Sequence, residues 1–373
     1  MKLQQFWTGA LKGLAVGALV AASWLVSSSF GAEPGKSLDA TRLTLDVKGA
    51  SLAEVLAEIE KQTGNQLSDE REQFGQDAPP KMVMLKADDE PFWSALDRLL
   101  DDAKLTPYPA SGVESLALVE REPTALRRSG RATYVGPFRI EAASVMAQRG
   151  VRAPEQSMLQ VQLEIAWEPR LRPLALTQLA ADVSAMCDDG LETPTLAEEV
   201  EFDQEISAGN HAAEVTIPLQ LPARRAKSLQ TLSGTLTALV PGKIVDLKFD
   251  KLADAKEATQ EEGGVSVTVD RVVKNQEVWE VHMRISVESD VEALQTHRGW
   301  VFENVATLID NEGATIENAG FETTMQTEDE AGLAYFYELP EGVEIGDCTW
   351  VYRTPVDIES IAVEYELEDV LLP

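Results

Sequence analysis

The sequence predicts a multidomain fold: an N-terminal α+β domain with a small sheet and two helices, followed by two mainly-β sandwich domains. The chain has 373 residues, more than the ~100–200 residues of one ordinary domain. A strand followed by an amphipathic helix occurs twice between residues 38 and 122. Beyond residue 134, alternating apolar and polar residues replace helical periodicity, as expected for short strands.

The first 32 residues have the pattern of an export signal. Lys2 and Lys12 precede an apolar run over residues 13–26, and small residues follow it. This order is typical of a secretory signal peptide, and cleavage is expected before Ala32. The alternative is an uncleaved membrane anchor, because the run and its small-residue tail approach the ~20 residues that span a bilayer. The sequence therefore predicts an exported, periplasmic or extracellular protein.

The first domain, predicted over residues 38–122, opens with a strand and a helix. Apolar and polar residues alternate over residues 43–47, as in a half-buried strand. Ser51 and Glu54 have the spacing of a capping box, in which each residue satisfies a backbone N–H group of the other. Apolar residues then recur at helical spacing until Gly64, which predicts the helix end.

The same unit returns after a polar insertion, residues 68–80. Met82 and Met84 predict a strand, in which Met84 is expected to face inward. Pro91 stands at the start of a second helix with an apolar face. Two further short strands are predicted within residues 104–121.

A set of apolar positions in residues 43–120 carries a family resemblance. These positions are Val47, the helix from Leu52 to Thr63 before Gly64, the second helix with Ala95, Leu96 and Leu99, and Leu105 after it. Together with the element order, they resemble the short N-terminal domain of secretins and TonB-dependent receptors. The resemblance implies a periplasmic interaction module without catalytic activity. The insertion around residues 73–80 departs from the family pattern.

The resemblance implies that this domain docks a protein partner of the cell envelope. One sheet is predicted from four strands, with both helices on one face: Leu43–Val47, Lys81–Leu85, Leu105–Tyr108 and Leu116–Val119. Because packing would use both helices, the free edge of the sheet is the expected contact. An edge strand offers unpaired backbone groups to an added strand.

Two linkers and two sandwiches are predicted after residue 122. Residues 123–133 hold three arginines among small residues and predict an exposed linker, with a basic binding patch as the alternative. Residues 254–264 are acidic and contain glycine, and predict a second linker. The segments 134–253 and 265–373 share similar strand and turn patterns, which favours two immunoglobulin-like sandwiches.

The charge of the chain limits its partners. The formal net charge is −31, and residues 259–373 hold 26 acidic against 5 basic residues. Nucleic acid is an unexpected partner, because its binding depends on clustered lysine and arginine. The acidic surface is interpreted as a solvated face, with a docking face for a basic partner or for calcium as the alternative.

The sequence predicts no catalytic, cofactor-binding or metal-binding residue, and so no enzyme. The three histidines, His211, His282 and His297, lack the spacing of a metal motif. Acidic tips at residues 188–189 and 310–312 could offer oxygen ligands to calcium. They are interpreted as hairpin turns, because asparagine and glycine tolerate the left-handed backbone that such turns need.

The tryptophans and cysteines leave one functional alternative open. Trp167, Trp279, Trp300 and Trp350 are predicted to pack in cores. If they lined an open face instead, the protein would be a carbohydrate-binding or carbohydrate-active envelope protein that uses a sandwich face. Cys187 and Cys348 are predicted as buried free thiols, with an interdomain disulfide as the alternative. The favoured function is an exported, non-catalytic binding or scaffold protein, which touches membrane only through an uncleaved signal.

Overall fold

The computed structural model describes residues 38–112, 114–196, 199–288, 299–327 and 329–373. The predicted signal peptide, residues 1–32, lies outside the described residues. Among the helices in the described ranges, none has the length and apolar composition needed to cross a membrane.

The N-terminal region contains two helices that share one core with two small sheets. In chain order its elements are β1 (Arg42–Ser51), α1 (Leu52–Thr63), β2 (Leu67–Asp69), β3 (Met82–Pro91), α2 (Phe92–Ala103), β4 (Leu105–Tyr108) and β5 (Leu116–Glu120). β1 pairs antiparallel with β3, whereas β5 pairs parallel with β2 and antiparallel with β4. The single four-stranded sheet expected from the sequence is therefore wrong. Eight of the twelve residues of α2 are buried, so this helix needs cover on more than one side.

The predicted start and end of α1 are confirmed. Ser51 Oγ accepts a hydrogen bond from the Glu54 N–H at 3.3 Å, and Glu54 Oε2 accepts one from the Ser51 N–H at 3.1 Å. Gly64 ends the helix in the left-handed conformation, with φ 73°, which glycine adopts without steric cost. The local sequence therefore defines this helix.

The orientation predicted for β3 is wrong. Met82 and Met84 are 65% and 61% exposed, whereas Val83, Leu85 and Ala87 are buried. All four residues from Met82 to Leu85 are apolar, so either alternate set could have faced the core. A shift of one residue exchanges the two faces of a strand, and tertiary packing selected Val83 and Leu85.

Within the described residues, sixteen strands follow, together with a four-residue helix. They are β6 (Thr133–Val135), β7 (Phe138–Gln148), β8 (Met158–Trp167), β9 (Ala175–Leu179), β10 (Ser184–Cys187), β11 (Glu201–Glu205), β12 (Ala212–Gln220), β13 (Ser228–Phe249), β14 (Lys256–Glu262), β15 (Val265–Asn275), β16 (Val278–Val287), α3 (Gly299–Phe302), β17 (Val305–Ile309), β18 (Thr315–Glu317), β19 (Gly320–Gln326), β20 (Glu330–Glu338) and β21 (Thr349–Leu371). Short 3₁₀ turns lie at Pro154–Gln156, Ala180–Asp182, Leu252–Asp254 and Ile345–Asp347.

These strands form three antiparallel sheets. One sheet has the order β12-β8-β7-β6, and a second has the order β14-β15-β16-β20-β19. The third has the order β11-β9-β13-β21-β17-β18, with β10 also paired to β13. The predicted fold class, an N-terminal region with two helices followed by mainly-β sandwich structure, is confirmed.

Two long strands join the β structure. β13 and β21 pair from Ser228 opposite Leu371 to Phe249 opposite Trp350, in one constant register. One part of this ribbon packs against the four-stranded sheet and the other part against the five-stranded sheet, which gives two cores. The last strand of the chain therefore contributes to both cores.

The two cores lie on opposite faces of the shared sheet. On β13, Leu232 and Leu236 pack in the first core, whereas Leu247 and Phe249 pack in the second. Successive side chains of a strand point to opposite faces, so from Leu232 to Phe249 the even-numbered and odd-numbered positions of β13 mark opposite sides.

Residues 254–264, expected to be a linker, are mostly β structure. β14 pairs antiparallel with β15, and Gly263 and Gly264 form the turn between them. β14 is an edge strand, and most of its side chains are exposed, which explains a composition that resembles a linker. The predicted domain ranges themselves stay a prediction.

Candidate functional site

A cluster of buried charges fixes the N-terminal region to the first β core. The fully buried Asp97 of α2 accepts hydrogen bonds from Arg139 Nε at 2.7 Å, Arg128 Nε at 3.0 Å and Tyr134 Oη at 2.8 Å. Arg139 belongs to β7 and is also fully buried. Buried charges are stable only when they are paired and hydrogen-bonded, so this cluster defines how α2 sits on β7.

The second half of the predicted first linker is tied to α2. Asp101 Oδ1 accepts the N–H of Arg128, and Asp101 Oδ2 accepts the N–H of Ser129, both at 3.0 Å. Burial raises the pKa of the Asp101 carboxyl. Hydrogen bonds from Ser129 and Arg128 lower it by more than burial raises it, so the net pKa is about 2. Residues 122–127 and 129–131 are exposed, whereas Arg128 is half-buried, so this segment stays at the surface although its backbone is bound to α2.

A second polar cluster fixes the start of the N-terminal region. The buried Glu168 accepts hydrogen bonds from the N–H and the hydroxyl of Thr41, both at 2.8 Å, and from Asn65 Nδ2 at 3.2 Å. Arg170 Nε donates to the same carboxylate at 2.6 Å. Trp93 Nε1 adds a bond to the carbonyl of Pro137 at 3.0 Å. The side of the region that carries α2 is therefore used for internal contacts.

The outer face of β1 and β3 is exposed and carries two methionines. Met82 lies opposite Ser51, and Met84 lies opposite Lys48. Lys86 follows on the same face of β3 and is exposed. We call the surface formed by Lys48, Met82, Met84 and Lys86 the methionine face. Methionine side chains are flexible and polarisable, and they recur at binding surfaces that adapt to a partner.

Side chains occupy the sheet edges that the sequence predicts as the contact. Gln62 Oε1 accepts the N–H of Thr44 at 3.0 Å, and Gln62 Nε2 donates to the Thr44 carbonyl at 3.1 Å. On β3, Asp102 Oδ2 accepts the N–H of Met84 at 2.8 Å. β4 contains Pro107, which has no N–H to offer. An added strand would have to displace the side-chain bonds on β1 or β3.

A cleft of about 340 Å³ lies where the N-terminal region and both β cores meet. Residues from all three parts line it, among them Gly112, Pro173, Pro241, Trp300 and Pro355. The described lining is mainly apolar, and it also includes His211, Glu303 and Arg353. Across the residues that the structure describes, no group of three or more histidine, cysteine, aspartate or glutamate side chains could hold a metal ion.

The acidic tips considered for calcium are turns. Asp310 Oδ1 accepts the N–H of Glu312 at 2.9 Å and the N–H of Ala314 at 2.8 Å, and Gly313 has φ 83°. Asp189 pairs with Arg225 at 2.7 Å. Both tips form turns, as the sequence predicts.

Three of the four tryptophans are core residues, as predicted. Trp167, Trp300 and Trp350 are buried, whereas Trp279 is partly buried with Lys274 Nζ 5.8 Å from its ring centre. A row of open aromatic rings is therefore not formed by these four residues.

Both cysteines are free and buried, as predicted. Cys187 lies in the first core and Cys348 in the second. Among the histidines, His211 is buried, and His282 Nε2 lies 2.9 Å from Glu280 Oε2. His297 falls outside the described residues.

Comparisons of the chain with protein-family models, with curated proteins and with solved structures found no match. Sequence reasoning missed Asp97 and Glu168. For Asp97 a signal exists, because a charged residue lies between Leu96 and Leu99 within the apolar stripe of α2.

Proposed function

We propose that this protein is an exported, non-catalytic binding or scaffold protein of the periplasm or cell envelope. It docks a protein partner through its N-terminal region. The exposure of Met82 and Met84 on the outer face of β3 carries the proposal. The resemblance of residues 43–120 to the short N-terminal domain of secretins and TonB-dependent receptors supports it, because that domain is an interaction module.

The methionine face suits an adaptable protein contact. Covering a methionine side chain contributes roughly 1.5–3 kcal/mol, so two neighbouring methionines form a useful anchor. Lys48 lies opposite Met84, and Lys86 lies opposite the exposed Asp46. The border of the methionines therefore carries both signs of charge, and a partner with complementary charges of both signs is favoured. The edges of β1 and β3 are less suited, because Gln62 and Asp102 bind their backbone groups.

The attachment of the N-terminal region supports a scaffold role. The buried clusters around Asp97 and Glu168 hold the region on the β structure. The methionine face is thereby presented in one orientation, and a preorganised surface loses less entropy on binding. The carbohydrate alternative depends on exposed rings, and the burial of Trp167, Trp300 and Trp350 removes most of that platform.

The proposal is tested by placing charges on the methionine face. The variant Met82→Glu, Met84→Glu should retain the fold, because substitutions at exposed positions usually change stability by less than about 0.5 kcal/mol. Met146→Glu is the matched control, since Met146 is 60% exposed on β7. Cross-linking in envelope extract followed by mass spectrometry should identify a partner for wild type and for the control.

The double variant should lose at least about 90% of that cross-link, a tenfold change in affinity corresponding to about 1.4 kcal/mol. Circular dichroism would establish that all three proteins are folded. Equal cross-linking of the same partner by all three proteins would remove the methionine face from the proposal.

A further inference from the structure

The insertion of the N-terminal region borders a second depression. Residues of the insertion, the start of β3 and the ends of α2 and β5 surround an open volume of about 750 Å³. Four cationic side chains line it: Arg71, Lys81, Lys104 and Arg121. Asp77, Glu120 and Glu122 line it as well, and Arg121 is paired with Asp101. The cations available to a bound anion are therefore Arg71, Lys81 and Lys104.

One of these cations is buried with an unused donor. Arg71 is only 2% exposed. Its Nε and Nη2 bind the Asp69 carboxylate at 2.8 and 2.7 Å, and Nη2 also donates to the Pro79 carbonyl at 3.2 Å. Within the residues that the structure describes, Arg71 Nη1 has no hydrogen-bond partner. A buried donor without an acceptor is costly, so an acceptor is expected next to it.

Glu120 marks where such an acceptor would lie. Its Oε2 is 3.1 Å from Lys81 Nζ and 3.9 Å from Arg71 Nη1. The second distance is too long for a hydrogen bond. The Glu120 side chain is 40% exposed. Its carboxylate can therefore rotate into solvent and leave room for another anion.

We propose that this depression binds an oxyanion, the phosphate or carboxylate group of a small molecule, between Arg71 and Lys81. The bound oxygen replaces the Glu120 carboxylate and completes the hydrogen bonding of Arg71 Nη1. Guanidinium and ammonium groups both make strong, charge-assisted bonds to such anions. Lys104 is exposed and adds positive charge at the rim, and the open volume accommodates the rest of the ligand.

Competition with Glu120 gives a test in the full-length protein. The probes are inorganic phosphate and, separately, succinate, each titrated at constant ionic strength. NMR would follow the Arg71 Nε–Hε group and the Lys81 amide. Glu120→Gln should bind either probe about tenfold more tightly, and Lys81→Met about tenfold more weakly, each a change of about 1.4 kcal/mol. Lys61→Met is the matched control, because Lys61 is also paired with a glutamate, Glu58, but lies outside both the depression and the methionine face.

Binding of both probes with this order of affinities would establish a general oxyanion site, and binding of phosphate alone would assign a phosphate group. No saturable shift in Glu120→Gln would overturn the proposal. So would equal affinities of wild type and Lys81→Met, since the anion would then bind elsewhere. The variants leave Met82 and Met84 unchanged, so the result is independent of the proposed docking surface.

Discussion

Buried carboxylates hold the N-terminal region in place. Asp97 and Glu168 are both fully buried, and each binds groups from separate segments of the chain. A carboxylate in this setting is stable only while its partners stay. Single residues therefore determine the orientation of the methionine face, although neither residue belongs to that face.

Removing the charge of Asp97 should destabilise the protein. In Asp97→Asn, Arg139 stays buried but loses its closest carboxylate, and breaking a buried ion pair in this way costs about 3–5 kcal/mol. Urea denaturation would measure the free energy of unfolding. Asp46→Asn is the control, because Asp46 is exposed on β1. A variant as stable as the control would mean that the remaining carboxylates, Glu141 and Glu164, neutralise Arg139.

At the scale of elements, side-chain bonds join segments that the sequence leaves separate. Asp101 of α2 binds two backbone N–H groups of the segment that follows β5. Part of the segment that the sequence predicts as a linker is therefore fixed to α2. Gln62 similarly joins α1 to the edge of β1. Elements that look independent in the sequence are therefore structurally coupled.

The bond between α2 and this segment should depend on pH. The folded pKa of Asp101, about 2, lies below the value of about 3.9 expected in the unfolded chain. Its stabilising contribution is therefore complete above about pH 4 and is lost as the pH falls through 2. The difference in unfolding free energy between wild type and Asp101→Asn should shrink over this range. A difference that stays constant from pH 5 to pH 2 would contradict the assigned role.

At the scale of the whole molecule, the two β cores are coupled. β13 and β21 pass through both cores in one register. A substitution that destabilises β13 or β21 in one core is therefore expected to destabilise the other core, because the same two strands continue into it. Two sandwiches joined only by a flexible linker would lack this path.

A cavity in the first core should accordingly loosen the second. Leu236 is buried in the first core, and Leu236→Ala should cost about 2–5 kcal/mol. Hydrogen exchange measured by mass spectrometry should become faster in β15 and β16 as well as in β7 and β8. Val305→Ala, at a half-exposed position of β17, is the control. Faster exchange confined to the first core would show that the cores unfold independently.

The sequence by itself determined the features that depend on neighbours within a few residues. The capping box at Ser51, the stop at Gly64 and the alternation along each strand are local, so α1, α2 and the mainly-β class could be predicted. The sequence of β21 also marks the change of face, because its buried apolar residues are mainly even-numbered up to Ile358 and odd-numbered from Val363 to Leu367.

Only the tertiary structure decided which face of β3 is open, that β1 to β5 form two separate sheets, and that Asp97 binds Arg139. These outcomes depend on contacts between residues far apart in the chain. Met82 and Val83 are both apolar, so the local sequence does not show which of them is buried. Packing against the helices chose Val83 and left the methionines exposed, and for that reason the candidate docking surface could not be predicted from the sequence.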